Sequence, residues 1–256
     1  MNRSGGLISV VHSGPVSVVR FEQPERRNAL SVEMLEALLE GLGEVADHEQ
    51  TMVLRLEGAG TAFCAGIDLD AGREDPEVLE RLLELLSESM RSLRTMPKVV
   101  VAQAQGAAIA GGCALLSACD FTCGEPGTRV GYPVARVGLS AAVSLPTLQG
   151  SIGPAAARSL VLEGSVIDGA SAHRMHLLTH LAESLDELPP LVDALCESLA
   201  KMEPIAMMKT KQWLNELDGS AEQLRHRVAL QHSLESARTD EAEMMLQQNW
   251  KRKGRA

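Results

Sequence analysis

Two segments of this 256-residue chain are built from small residues that leave the main chain open to approach, "FCAGIDL" at 63–69 and "GAAIAGGCAL" at 106–115. Glycine and alanine let a ligand, or another stretch of backbone, come close to the peptide groups. If Gly111 opens a helix, its amide is one of the first-turn donors that no helical carbonyl satisfies, and it sits at the positive end of the helix dipole. One such donor from each segment, aimed at one point, makes an oxyanion hole. Taken alone, either segment is more simply explained as close packing between a helix and a strand.

The elements that must hold these segments follow from periodicity. "LISVV" and "VSVVRF", joined by the turn residues "HSGP", predict an opening hairpin. Ser31 caps a helical pattern over "VEMLEALLEGLGEVA". "TMVLRLEG" predicts a strand, the segment from Pro76 to Thr95 an amphipathic helix with proline in its first turn, and "KVVVAQAQG" a strand buried on both faces. A helix follows from about Gly111. Beyond Pro154 strand character fades and helices are predicted at 154–163, 168–176, 187–201, 204–217 and 220–250. Alternating β and α followed by a helical tail predicts an α/β core with a helical C-terminal lobe. No repeat and no Pro-, Gly- or Ser-rich linker divides the chain.

Composition narrows the function classes. At 45% apolar and 23% charged residues the chain can bury a large core, and with aromatics at 2% that core is aliphatic. A net charge of −10 argues against nucleic-acid partners, which require a basic face. Five cysteines, an odd number without a CxxC pair, predict neither a disulfide framework nor a zinc site and suit a reducing compartment. No signal-type N-terminus is present, so the expectation is a cytoplasmic protein without a membrane span.

The two small-residue segments together, with "QPERRNALS", "PKVVVAQAQGAAIAGGCALLSACDF", "GYPVARVGL" and "SIGPAAARSLVLEGSVIDGASA", resemble the crotonase superfamily, also called the enoyl-CoA hydratase/isomerase family. The resemblance covers nearly the whole chain. It implies a crotonase-like ββα spiral core over 1–195 that binds acyl-CoA, and a C-terminal helical trimerisation region over 196–256. It also implies trimers or paired trimers, with CoA entering only as part of the substrate and no separate cofactor or metal. The backbone amides of Ile67 and Gly111 are the implied oxyanion donors. The loops around Arg27, Ala29 and Leu30, and around Ala65, Gly66, Asp68 and Leu69, are the implied grip on CoA, with Ala110 beside the second donor. Arg27 is equally readable as a solvated charge.

The same resemblance exposes a departure. Hydratases of this family carry one glutamate just after the GGC element and a second after the proline of a "PE" pair, because hydration needs one carboxylate for water and one for the α-proton. Here those positions are Ala114 and Val134. The Gly-rich turn expected after Gly138 is replaced by "LSAAVSLP", which implies a reshaped acyl pocket. Ordinary hydration and glutamate-driven isomerisation are therefore not expected, and enolate chemistry with other acid–base groups is.

The remaining polar candidates each have a plainer explanation. Tyr132, the only tyrosine, stands two residues before the lost second glutamate and could donate to a carboxylate or enolate, though a buried tyrosine usually just satisfies its hydroxyl. Ser140 and Ser144 fall in the altered turn and could position water, or simply shape it. Asp68 matches an acidic position of the family that is more often structural, and Asp70 and Glu125 read as solvated. His232 resembles in placement a histidine of the polyketide-pathway decarboxylases, without the lysine that accompanies it there. His173, His176 and His180 read as a helix and its exit. The alternatives carried forward are a silent binder of acyl-CoA or acyl-carrier-protein thioesters, a polyketide-type decarboxylase, and a hydratase with a displaced carboxylate such as Glu125 or Asp70.

Overall fold

A hairpin opens the chain, as its alternating pattern requires: β1 (Ile8–Ser13) pairs antiparallel with β2 (Val16–Phe21) across a turn in which Gly14 has φ 57°. The computed structural model describes residues 6–68 and 76–253. Strands β3 (Val53–Gly58), β4 (Val99–Gln103), β6 (Phe121–Gly124) and β9 (His180–Leu181) add in parallel, giving a six-stranded sheet ordered β1-β2-β3-β4-β6-β9. All five residues of β4 are buried, which fits its unbroken apolar run. A second sheet, β5-β7-β8, is made from β5 (Ala107–Ile109), β7 (Arg129–Gly131) and β8 (Val166–Asp168).

Three helices tie the core to the site. In α1 (Val32–Asp47) the Ser31 hydroxyl accepts from the Met34 amide, and Met34, Leu35, Leu38, Leu42 and Val45 form its buried stripe. In α2 (Pro76–Thr95), Leu82, Leu86, Met90 and Leu93 are buried. The seven residues of α3 (Gly111–Ser117) are all buried, and a side chain on Gly112 would collide with the Cys64 carbonyl oxygen. Glycine is thus required where α3 crosses the "FCAG" backbone.

The rest is helical: α4 (Leu145–Glu163), α5 (Gly169–Arg174), α6 (Leu188–Leu199), α7 (Pro204–Asp218), α8 (Gln223–Ala237) and α9 (Asp240–Lys253). Helix α4 breaks at Gly153 (φ 76°, ψ 164°), just before Pro154, which lacks the amide that would continue it. Helix α8 is stitched to the loop after Gly138: Val143 N donates to Ser233 Oγ at 2.9 Å, and Ser236 Oγ donates to the Gly138 carbonyl at 3.1 Å. The Arg238 guanidinium, just beyond α8, grips Glu80 of α2 through two 2.6 Å contacts.

The α/β core with a helical C-terminal region is as expected, and so are the bounds Pro76–Thr95 and the helix start at Gly111. Three details differ. The short strands β5, β6, β7, β8 and β9 have no counterpart in the sequence pattern, because strands of two to four residues carry no period. Helix α4 begins at Leu145 rather than 154, and the helix predicted over 220–250 is two, divided at Arg238 and Thr239. Among the described residues no helix is long and apolar enough to cross a membrane, and all five cysteines are free and buried.

Candidate active site

Backbone pairing orients the first small-residue segment. Leu30 N donates to the Gly66 carbonyl at 2.8 Å and Asp68 N donates to the Leu30 carbonyl at 2.9 Å, so Leu30 is bridged to the residues on either side of Ile67. In such a parallel bridge the amide of the middle residue points the other way. On the opposite flank Cys64 N donates to the Ala107 carbonyl and Ile109 N to that of Cys64, both at 3.0 Å. The first segment is therefore held between the 27–30 loop and β5.

A residue not singled out in the sequence fastens that loop. Asn28, fully buried at φ 54°, donates from Nδ2 to the carbonyls of Ala59, Ala62 and Phe63 and accepts from Gln23 N. The left-handed pair Arg27 and Asn28 turns the chain sharply ahead of Ser31. Its sequence signal is the asparagine of "RRNALS", a residue that tolerates this conformation.

The second donor depends on a strained residue. Ala110 precedes α3 at φ 50°, ψ −110°, a conformation side chains rarely adopt, and its own amide donates to the Gly131 carbonyl at 2.8 Å. This turn ends β5 and starts α3 at once, leaving Gly111 N as the first helical amide. Gly66, at φ 97°, packs against the same turn: a Cβ on it would lie 2.6 Å from the Ile109 oxygen and 3.4 Å from Gly111 N. A Cβ on Gly111 would in turn lie 3.4 Å from Ile67 N. The two amides are thus neighbours, and neither finds an acceptor among the described residues.

They border a cavity of about 170 Å³. Its walls are Ala65 and Ile67, Leu83 and Leu86 of α2, Ile109 to Gly111, and the segment from Tyr132 to Ser144 that α8 holds in place. Val134 stands on this wall; Ala114 does not, being fully enclosed in α3. Among the described residues no carboxylate, histidine or amine lines the cavity, and Tyr132 is its one titratable side chain.

The other sequence candidates fall in different places. Ser140 and Ser144 line the cavity, and Ser140 Oγ accepts from Ala142 N at 3.1 Å. Arg27 is exposed, whereas its neighbour Arg26 pairs with Asp68 at 2.5 Å. Ala29 is half-buried and Leu30 buried, the latter against Gly111. Leu69 and Asp70 lie outside the described residues. Glu125 folds back on its own turn, accepting from Gly127 N and Thr128 Oγ1, and does not reach the cavity. His232 is not brought to the cavity either: its side chain is 65% exposed on α8, 3.4 Å from Glu235, while the next residue, Ser233, faces the loop. His173 Nδ1 contacts the Leu178 carbonyl at the exit of α5. No group of three or more His, Cys, Asp or Glu among the described residues could hold a metal ion.

Tyr132 is buried to 1% exposure, and its hydroxyl meets hydrogen-bond geometry with no group among the described residues. The Ser117 and Ser144 hydroxyls and the Cys113 thiol lie beside it. Burial pushes its pKa well above the ordinary value, so it stays protonated. Burial likewise pushes the Cys113 thiol up to about 12, which leaves it un-ionised.

The family model for enoyl-CoA hydratase/isomerase matches residues 12–253. The chain belongs to this family. A Thermus thermophilus protein whose name assigns it provisionally to the enoyl-CoA hydratases is 34% identical over 223 residues, covering 82% of this chain and 84% of that protein. The peroxisomal Delta(3,5)-Delta(2,4)-dienoyl-CoA isomerase of Arabidopsis thaliana is 29% identical over 254 residues, 92% of this chain and 90% of that one. Among solved structures, an enoyl-CoA hydratase from Bacillus halodurans superposes with a TM-score of 0.85 at 21% identity, covering 94% of this chain and 99% of its own, a likeness of fold. Within the enoyl-CoA hydratase/isomerase family this chain has the crotonase fold, and it carries alanine and valine at positions 114 and 134.

Proposed function

We propose that the protein is an acyl-CoA enzyme of this family which holds a thioester oxygen between the amides of Ile67 and Gly111 and works through the thioester enolate without a carboxylate pair. The observation that carries this reading is the pair of neighbouring amides, free of acceptors among the described residues, on the wall of a cavity that no described carboxylate, histidine or amine lines. Two donors aimed at a developing oxyanion in a dry site stabilise it by several kcal/mol, about 3 per donor. Such stabilisation serves lyase, isomerase and decarboxylase steps alike, since each passes through an enolate.

Water activation is another matter. With Ala114 enclosed in α3 and Val134 on the wall, no described carboxylate is in place to activate water, so ordinary hydratase activity is not part of the proposal. Ala65, Gly66, Ala110 and Ser140 shape the acyl pocket. The 27–30 loop, with Ala29 and Leu30, and the Arg26–Asp68 pair flank the CoA moiety, and Arg27 and Leu69 contact it. The ββα core of residues 1–195 binds the thioester, of CoA or of an acyl carrier protein. The helices of 196–256 assemble cytoplasmic homotrimers or hexamers.

A second reading is favoured by the same empty wall: a binder of acyl thioesters that turns nothing over. Mass spectrometry of enoyl-, malonyl-, methylmalonyl- and 3-methylglutaconyl-CoA after incubation with the protein separates the two, with binding followed in parallel. Loss of carbon dioxide or a rearranged product assigns an enolate enzyme. Binding across the panel with no product supports the silent binder, and gain of water overturns the exclusion of hydration.

A further inference from the structure

A second cavity, of about 560 Å³, lies beyond the C-terminal end of α3 and shares no wall residue with the acyl cavity. Leu214 of α7, 57% exposed, is on its wall, so the space communicates with solvent. Its volume is that of a small-molecule site. The cavity is independent of the thioester chemistry proposed above.

Arg94, in the last turn of α2, is on this wall and only 7% exposed. Part of its guanidinium is spent within the fold: Nη2 donates to the Ser117 carbonyl at 2.8 Å, to the Thr147 carbonyl at 3.4 Å and to Ser151 Oγ at 2.9 Å. The rest of the fork is unmatched. Nε is buried without a partner, Nη1 donates to nothing among the described residues without being enclosed as Nε is, and no described carboxylate pairs with the charge. A buried cation without an anion is costly, whereas a guanidinium that meets a carboxylate gains parallel charge-assisted hydrogen bonds. The other charges on the wall do not supply that partner. Lys211 Nζ donates to Asp120 Oδ2 at 2.7 Å and to the Lys98 carbonyl at 2.9 Å, and the same Asp120 oxygen accepts from Val100 N at 2.8 Å. Asp218, at the C-terminal end of α7, accepts from Ser220 N at 2.7 Å. Much of the remaining wall is apolar, with Phe121, Leu177 and Met207 beside Leu214.

We propose that this cavity is a binding site for an aliphatic monocarboxylate, whose carboxylate bonds the open edge of the Arg94 guanidinium and whose chain lies against Phe121, Leu177, Met207 and Leu214. An unmatched guanidinium in an apolar recess selects a ligand that has both parts. A compact oxyanion such as phosphate leaves the apolar wall uncovered, and an uncharged chain leaves Arg94 unpaired in a drier site.

Isothermal titration of the full chain with octanoate is the test, run beside 1-octanol, which keeps the chain without the charge, and inorganic phosphate, which keeps charge without the chain. Octanoate is expected to bind more tightly than either by about tenfold or more, the scale of a hydrogen bond to a charged group. Arg94→Gln should weaken octanoate by about the same factor and leave 1-octanol unchanged. Because Arg94 also fastens Ser117 and Ser151, thermal unfolding is followed on the same samples, and two further variants leave it in place. Leu214→Asp, on the exposed wall, sets a like charge beside the carboxylate and should weaken octanoate about threefold, while Asp218→Asn removes one and should tighten it by a similar factor. Octanoate that does not bind, or that binds no more tightly than 1-octanol or phosphate, overturns the site. So does a folded Arg94→Gln that binds octanoate as the wild type does, and so does octanoate binding that neither Leu214→Asp nor Asp218→Asn alters, which puts the acid elsewhere on the chain.

Discussion

Gly66 and Ile109 touch backbone to backbone: a Cβ on Gly66 would lie 2.6 Å from the Ile109 carbonyl oxygen, and Gly66 itself is held at φ 97°. This contact sets the spacing of the two small-residue segments, and so the spacing of the Ile67 and Gly111 amides. Gly66→Ala is therefore expected to cost about 1–3 kcal/mol in stability from backbone strain and to weaken acyl-CoA binding by about tenfold or more, the loss of roughly one aligned hydrogen bond. Calorimetric titration with a short acyl-CoA, beside thermal unfolding, checks both. Unchanged affinity would detach Gly66 from the site.

The strain at Ala110 can be released without touching the amides. Its φ 50°, ψ −110° is the mirror image of an extended conformation, which glycine reaches freely. Ala110→Gly should leave acyl-CoA affinity within about twofold and raise stability by about 1 kcal/mol, the low end of the strain scale. Chemical denaturation reads the change, and a loss of stability would show that Ala110 is not strained.

Asn28 anchors the loop that holds Ile67 in register. Removing its amide in Asn28→Ala leaves the carbonyls of Ala59, Ala62 and Phe63 without this donor, at an expected cost of about 2–3 kcal/mol. Hydrogen exchange across residues 59–68 should rise in step. A variant as stable as the wild type would mean that the loop is held by other contacts.

How far the site was legible in the sequence depends on what each residue's role rests on. The Gly111 helix start could be read because three glycines and a run of alanines leave few other ways to bring the chain close, and the apolar period of α2 fixed Pro76–Thr95. Strands β5, β7 and β8 could not, since three residues acquire strand geometry only through partners far along the chain. Arg26, not Arg27, faces Asp68, because the left-handed turn at Arg27 and Asn28 rotates the side chains by a step that no linear pattern records. The start of helix α4 is hidden in the sequence because "QGSIGP" looks like loop; its break at Gly153 lies inside the helical run rather than before it. Nothing in "VALQHSLES" told which face of α8 would meet the core, and Ser233 rather than His232 took that place.

Positions 114 and 134 should respond unequally to a restored glutamate. Ala114 has no exposed surface, so Ala114→Glu buries a carboxyl in the core and should destabilise the chain by several kcal/mol, about 3 or more. Val134 faces the cavity and is half-buried against the Leu79, Leu139 and Ala242 cluster, and Val134→Glu should fold with a smaller loss than Ala114→Glu because its carboxyl can turn into the cavity. Thermal unfolding of the two variants decides it. Equal losses would contradict the placement of Ala114 behind the wall.

His226 gives the helical lobe a pH dependence. Its Nε2 contacts the Ser220 carbonyl at 2.7 Å, and Nδ1 is buried without a partner, so a second proton would have nowhere to bond. Burial pushes its pKa below the ordinary 6.5, with the Ser220 contact opposing. Below about 6.5 the unfolded chain takes up a proton that the folded chain refuses. The stability this histidine contributes is therefore complete above that value and is lost as pH falls toward the lower folded pKa. His226→Gln should flatten this part of the acid limb in unfolding curves taken from neutral pH downward; an unaltered limb would assign it to other groups.

The most direct test of the account is a crystal structure with a non-hydrolysable acyl-CoA analogue that retains the carbonyl. The oxygen is predicted to lie about 3 Å from both Ile67 N and Gly111 N, within ordinary hydrogen-bond reach, with the acyl chain running between Val134 and Ser144. A carbonyl bound elsewhere, or an analogue seated with its acyl group outside this cavity, would contradict it.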